Sequence, residues 1–391
     1  MLSVLSLARK TLGRLALLVG LAALAACGEA PPPSAGPGIG TRVPVALLVP
    51  AGSGQASDEL LARSIQNAVQ LAMGDLGGVT IDLRVYNTAG DPKTAGEMAS
   101  RAVDEGAAII LGPVYAQEAN AAGLAVANRG VNVLSFSNNT AIAGGNVFVL
   151  GQTWDNTAMR LAAYAVSHGV SQIMIVHDQT QAGEIGAAAI QRGVAAAGGT
   201  VVGSASYEFS QNGVVQAISG ITAQIRGSGA QGVFLTADTS GALPLVSQLL
   251  KDNGVNPEVT RFIGLTRWDI PAATLALPGI QGGWFALPDP AIYTLFAQRY
   301  QATYGEPPHP IASLGYDGIA AIGALAKSGA NLSAAALTQS AGFAGVTGAF
   351  RLNRDGTNTR ALAVAQVVDG QVSVIDAAPR SFVAGGGAAG F

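Results

Sequence analysis

From residue 43 onward, short apolar runs alternate with longer amphipathic stretches. VPVALLV at 43–49 is a continuous apolar run of the length a buried strand takes. The stretch 58–74 follows, with Leu61, Ile65, Ala68, Val69 and Ala72 at helical spacing and the cap types Ser57 and Asp58 at its start. The same alternation predicts strands over 79–86, 108–111 and 131–136, with helices over 93–105 and 117–129 between them. After about residue 150 the rhythm restarts. Helices are predicted over 157–168, 183–197, 214–226 and 240–253, and strands over 172–177, 200–207, 232–236 and 261–264. A strand over 284–287 and helices over 291–304 and 312–327 come next, then short strands near 348–352, 361–368 and 371–375. Asp369-Gly370 between the last two is a tight-turn signal for a hairpin. Strands alternating with helices imply βαβ units and mostly parallel sheets, and two such series of similar length predict an α/β protein of two similar lobes.

The first 26 residues break this rhythm. Arg9, Lys10 and Arg14 precede the apolar run LALLVGLAALAA at 15–26, which is too short to span a bilayer and reads as a secretory signal peptide. It ends Leu24-Ala25-Ala26-Cys27, which resembles the lipobox of bacterial lipoproteins, so the lone cysteine, Cys27, is expected to carry a lipid. An unpaired thiol in a secreted chain would otherwise be out of place. The Pro- and Gly-rich segment 27–42 is expected to be a flexible tether, and the Gly/Ala-rich end 383–391 a disordered tail.

Composition narrows the classes. The chain has 391 residues, 49% hydrophobic and 12% charged, which excludes a disordered polymer. Its 52 glycines and 18 prolines follow no fixed period, which excludes a collagen-like chain. The formal charge is −3, and without Arg9, Lys10 and Arg14 the remaining 18 basic residues face 24 acidic ones, a net of −6. Such a surface offers no footprint for nucleic acid. There is no His-Glu-x-x-His, Cys-x-x-Cys or Gly-x-Ser-x-Gly, and His168, His177 and His309 are scattered. No metal, cofactor or catalytic set is therefore expected, and the chain is not read as an enzyme. Gly52-Ser53-Gly54 loosely imitates a dinucleotide loop, but Ser57 stands at the third glycine and Asn87 ends the next strand in place of an acid. Asp238, Asp269 and Asp317 have no partner in the sequence and read as loop or N-cap residues.

Three stretches carry a family resemblance: AAIILGP at 107–113, VNVLSFS at 131–137, and GEPP at 305–308 ahead of Tyr316-Asp317. Together they resemble the type 1 periplasmic binding protein superfamily, in its leucine/isoleucine/valine-binding branch, over about 43–382. The resemblance implies two Rossmann-like lobes with parallel sheets joined by a three-crossing hinge, with crossings near 150, 280 and 330. The first lobe would be 43–150 plus about 280–330, and the second about 151–279 plus 331–382. More narrowly, IILGPVYAQ (109–117), SFSNN (135–139), FIGLTRWD (262–269), GGWFALPDP (282–290) and the 307–317 stretch are similar to penicillin-binding protein activator lipoproteins. That likeness implies a lipid-anchored regulator that binds and activates a peptidoglycan synthase, with a class A penicillin-binding protein as partner. The alternative is a solute-binding receptor of an ABC transporter, with a permease as partner and a small polar ligand such as an amino acid. Either would reside in the periplasm, anchored through Cys27 to a membrane, the outer one in a Gram-negative cell.

The resemblance also implies which residues line the cleft between the lobes: Tyr115, Gln117, Ser137, Asn138, Asn139, Gln179, Thr180, Asp238, Thr239, Arg267 and Trp268. Trp268 reads equally as a core residue, and Asn138-Asn139 also as a turn. Amino-acid receptors place a hydroxyl after the Gly-Pro turn, where this chain has VYAQ at 114–117, and a tyrosine where Ala182 stands. Arg267 would repel an ammonium that Asp269 could attract, so an amino-acid ligand is weakened and not excluded.

Overall fold

A computed structural model describes residues 42–382. The signal peptide, Cys27, the tether up to Thr41 and the tail over 383–391 lie outside the described residues. In chain order the first lobe runs β1 (Arg42–Val49), α1 (Ala56–Gly74), β2 (Thr80–Asn87), α2 (Pro92–Asp104), β3 (Ile109–Leu111), α3 (Ala116–Val126), β4 (Asn132–Ser135) and β5 (Val147–Val149). The second runs α4 (Trp154–Ser167), β6 (Gln172–Asp178), α5 (Gln181–Ala196), β7 (Thr200–Tyr207), α6 (Gln211–Ser228), β8 (Gly232–Leu235), α7 (Leu243–Asp252), β9 (Arg261–Gly264) and β10 (Trp284–Leu287). Then come α8 (Pro290–Tyr304), α9 (Ala312–Lys327), α10 (Ala334–Leu337), β11 (Phe343–Gly345), β12 (Gly348–Leu352), β13 (Asn358–Arg360), β14 (Ala363–Val368) and β15 (Gln371–Asp376).

The first sheet has the order β2-β1-β3-β4-β5 and is parallel throughout. In the second sheet β7-β6-β8-β9-β10 repeats that order in parallel. Antiparallel β14 and β15 extend it beyond β10. Helices cover both faces of each sheet, which explains why central strands such as β1 and β6 read as nearly unbroken apolar runs. In β1, Val43, Val45, Leu47 and Val49 meet the core under α1, α8 and α9, while Ala46 and Leu48 meet the one shared with α2 and α3. In β6, Met174 and Val176 face the core of α6 and α7, and Ile173 and Ile175 that of α4 and α5. Asp369 and Gly370 turn the last hairpin with φ of 51° and 72°, the positive values that a two-residue turn requires.

Three helices start earlier than the apolar spacing suggests because a hydroxyl cap stands ahead of the first apolar residue. Thr153 accepts from Asn156 N at 3.1 Å, Thr180 from Gly183 N at 3.1 Å and Ser210 from Gly213 N at 2.9 Å.

The chain passes between the lobes at 149–154, 287–290 and 360–363. The second and third passages fall later than the sequence-based positions near 280 and 330. Trp284–Leu287 pairs with β9 and β14 and so belongs to the second sheet. Leu337, Phe343, Phe350 and Leu352 pack into the first-lobe core instead of the second. The small antiparallel sheet β11-β12-β13 therefore stands with the first lobe, and only β14 and β15 return to the second. The first and third passages are stitched together. Asn358 Nδ2 donates to the carbonyls of Val149 and Gly151, both at 2.8 Å, and Arg360 Nε to that of Leu150 at 2.7 Å. Among the described residues no helix is long and apolar enough to cross a membrane.

Candidate functional site

The carboxyl ends of β1 and β3, and of β6 and β8, are the points where each sheet order reverses, and ligands of open α/β sheets bind at such points. A cavity of about 650 Å³ opens between the lobes at the same carboxyl edges but displaced from those points, beyond the ends of β3, β4 and β5 in the first lobe and β9 and β10 in the second. Both lobes and all three passages contribute to its wall.

The first lobe supplies Tyr115 at the N-cap of α3 and the loop Phe136–Asn139 after β4. The turn from β3 into Tyr115 requires Gly112: its φ is +89°, and a Cβ there would collide with the carbonyl oxygen of Leu48. The Tyr115 hydroxyl donates to Asp58 Oδ1 at 2.5 Å, and that bond with burial pushes its pKa up to about 12. Ser137 is buried, and its hydroxyl accepts from Asn139 N at 3.1 Å. Asn139 is a turn residue as well as a lining one, since its Oδ1 accepts from Ala141 N at 2.9 Å.

The second lobe supplies Trp154 and Thr157 of α4 and the loop after β9, Leu265 to Arg267 with Ile270. Arg267 is held by Asp269 through Nε to Oδ1 at 2.7 Å and a second bond from Nη2 to Oδ2. The acid expected to attract an ammonium is thus spent on a guanidinium. The third passage supplies Arg360. Burial pushes the Arg360 pKa down and the facing Asp317 opposes this. Its Nη1 donates to Asp317 Oδ2 at 3.1 Å. Asp317 itself is fully buried inside α9, where it accepts from Val346 N at 2.8 Å. It is therefore neither a loop residue nor an N-cap.

Of the residues implied by the sequence, Tyr115, Ser137, Asn138, Asn139 and Arg267 line this cavity, and Gln117, Gln179, Thr180, Asp238, Thr239 and Trp268 do not. Trp268 is a correction. It is fully buried in the second-lobe core, tilted against Phe285 at a centroid distance of 6.2 Å. A Cβ at Gly264 or Gly283 would meet its ring within 2.6 Å, so these glycines make its berth. Gln179 donates to Ser206 Oγ at 3.1 Å, Thr180 caps α5, Thr239 Oγ1 donates to the Ile270 carbonyl at 2.7 Å, and Asp238 accepts from Ser240 Oγ at 3.3 Å. Sequence reasoning missed Gln152, Trp154, Thr347 and Arg360. Arg360 had a visible signal, a lone cation where the apolar run ALAVAQVV begins.

The wall mixes apolar surface (Phe136, Trp154, Leu265, Ile311, Leu314) with hydroxyls and amides. Its charged residues are Arg267 and Arg360, and no Asp or Glu lines it. Such a cavity suits a small ligand with an apolar body and an anionic end. Among the described residues, no group of three or more His, Cys, Asp or Glu could hold a metal ion.

A family model described as periplasmic binding protein matches residues 42–371. No curated protein matches the chain. Solved structures do. A protein provisionally assigned as a branched-chain amino acid ABC transporter from Rhodospirillum rubrum is 20% identical, with a TM-score of 0.69 over 86% of this chain and 100% of that one. An ABC transporter substrate-binding protein of Desulfitobacterium hafniense, in complex with Leu, is 18% identical, with a TM-score of 0.62 over 85% and 100%. An ABC transporter solute-binding protein of Rhodopseudomonas palustris, in complex with 3,4-dihydroxybenzoic acid, is 19% identical, with a TM-score of 0.57 over 87% and 99%.

Proposed function

The chain belongs to the periplasmic binding protein family, and from that premise we propose that it is a solute-binding receptor of an ABC transporter for a small carboxylate with an apolar or aromatic body. The carrying observation is the interlobe cavity of about 650 Å³, whose charged lining is two arginines and no acid. Such a wall attracts a carboxylate and gives an ammonium no counter-charge. An α-amino acid would bury its ammonium unpaired, a cost of several kcal/mol. The periplasm is the family's compartment, the lipid on Cys27 would hold the receptor at a membrane, and the permease is its partner. Closing the lobes over the ligand would bring Arg267 and Tyr115 together around it.

The activator reading draws on sequence stretches that double as fold elements. Ile109–Leu111 is β3, Arg261–Gly264 is β9, Trp284–Leu287 is β10, and Trp268 is core. Likeness in those places follows the scaffold and says little about a protein partner, so the receptor reading has the better support.

The test is isothermal titration of the full chain with benzoate, 4-hydroxybenzoate and 4-methylpentanoate beside leucine and leucinamide. Micromolar binding of one carboxylate at least tenfold tighter than leucine supports the proposal. Leucine binding as tightly as its deaminated analogue sinks it. So does silence from every carboxylate combined with capture of a purified class A penicillin-binding protein, which would restore the activator reading.

A further inference from the structure

The seven-stranded sheet ends in a bare strand. β15 pairs with β14 on one side, and among the described residues nothing pairs with it on the other. Residues 371–374 are all exposed, Val372 and Val374 among them, and the strand carries no charge before Asp376. The other edges of the two large sheets are guarded, as solvent-facing edges of native proteins are. In β2, Asp82 pairs with Arg42 at 3.5 Å and Arg84 at 3.3 Å. β5 has only three residues, and its Val149 N–H donates to the Gly356 carbonyl at 2.9 Å. β7 is for the most part half-buried or buried and joins β6 through a register shift.

The register shows which backbone groups of β15 point outward. Asp369 and Gly370 form a two-residue turn, so Val368 and Gln371 close it as a hydrogen-bonded pair. Bonded and unbonded pairs alternate along an antiparallel ladder. Gln366 and Ser373 are therefore the next bonded pair, and Val372 and Val374 turn their N–H and C=O groups away from β14. A register shift between Val364 and Ala365 ends the regular edge after Val374.

This short edge matches itself. An antiparallel copy related by a two-fold axis at Ser373 sets Val372 of one chain opposite Val374 of the other, and the reverse. Both pairs are then of the bonded kind, and the two donors and two acceptors on each chain are all satisfied. Asp376 comes to lie beside Gly370 of the second copy, so like charges do not meet. The apolar row that runs from Val367 to Val372 continues across the axis. We propose that β15 is a homodimer interface, through which two copies of this chain join their seven-stranded sheets edge to edge. An unrelated extended peptide could bond to the same backbone groups, but the match of register and charge about Ser373 singles out a second copy. None of these residues lines the interlobe cavity, so the pairing does not cover its wall.

The test is sedimentation velocity of the full chain across the micromolar to submillimolar range, where a small interface of one strand pair should associate reversibly. Ser373 is exposed, so substitutions there leave the fold intact. Ser373→Lys and Ser373→Asp each set like charges face to face on the axis, and each should weaken the dimer about threefold or more. An equimolar mixture of the two should associate more tightly than either variant alone, because it pairs opposite charges on the axis. Hydrogen exchange at the Val372 and Val374 amides should slow as the parent chain is concentrated. A parent that stays monomeric throughout overturns the proposal. Association that neither variant weakens, or that the mixture does not restore, arises elsewhere in the chain and overturns it too. Slow exchange of both amides at every concentration would mean that another segment of the same chain covers the edge, and it would equally overturn the dimer.

Discussion

Glu118 gives a quantitative check on how the first lobe is built. It lies in the first turn of α3, fully buried, and neither carboxylate oxygen has a hydrogen-bond partner. The nearby Thr88 hydroxyl gives its hydrogen to the Val49 carbonyl at 3.1 Å. Burial raises the Glu118 pKa above the ordinary glutamate value, the nearby Thr88 hydroxyl and Tyr115 backbone N–H oppose it, and the negative charges of Asp58 and Asp91 add to it. Asp91 itself stays ionised, because the backbone N–H and hydroxyl of Thr94 hold its pKa down. The sign follows from linkage. The folded state binds this proton more tightly than the unfolded chain does. The stabilisation is therefore complete below the unfolded value of about 4.3 and is lost as pH rises through the higher folded value.

Glu118→Gln removes the charge and keeps the shape. An unsatisfied buried neutral group costs about 1–3 kcal/mol and a charged one more, so the variant should gain on the order of 1–3 kcal/mol at pH 8. With unfolding entropy near 2 cal/mol/K per residue, that corresponds to a rise of about 1–4 °C in Tm for the folded body. The assay is scanning calorimetry of both proteins at pH 4.5, 6 and 8. The Tm difference should be near zero at pH 4.5 and grow with pH. A variant less stable at every pH would mean that the Glu118 carboxylate is charged and well solvated in the fold, and the reasoning about this pocket would fail.

Other expectations follow from the same geometry. Asp269→Asn releases Arg267 from its bidentate partner and should tighten carboxylate binding several-fold, whereas Arg267→Gln should weaken it about tenfold; titration of both variants checks the opposite signs. Trp268→Ala empties a berth in the second-lobe core and should cost about 3–5 kcal/mol of stability, read as a fall in Tm, with ligand preference unchanged in whatever fraction folds. Arg360→Met strands the buried Asp317 carboxylate and should cost about 3–5 kcal/mol, read as a fall in Tm; a Tm equal to the parent's would argue against the ion pair.

The central strands of both sheets, such as β1, β6 and β8, were legible because each is buried on two faces and reads as one apolar run. The repeat of the rhythm gave the two lobes, since the same strand order recurs in each sheet. What stayed hidden was short or locally mixed. Val147–Val149 has three residues, and Phe343–Gly345 and Asn358–Arg360 are equally brief, so no period could mark them. That is why the third passage is at 360–363 and not near 330. In the cleft, residues directly after strand ends were found when the loop bends inward, as at Asn138, and misplaced when the side chain is used locally, as with Thr180 capping α5.

Trp268 and Arg360 show why the site is harder to infer than the scaffold. Both are conspicuous in the sequence, one as a rare aromatic beside a charged loop and one as a cation beside an apolar run. Their fates depend on contacts with residues far along the chain. Gly283, 15 positions on from Trp268, leaves room for its ring and turns an apparent cleft wall into core. Asp317, 43 positions before Arg360, holds its guanidinium at the point where three passages meet. A ligand in the cleft contacts what those long-range pairings leave exposed. In this chain the lining keeps Arg267 partly exposed and only the edge of the buried Arg360, with no acid among them. The charge preference of the site is thus a product of how the hinge is braced, and altering the Arg360–Asp317 pair should change ligand binding and lobe stability together.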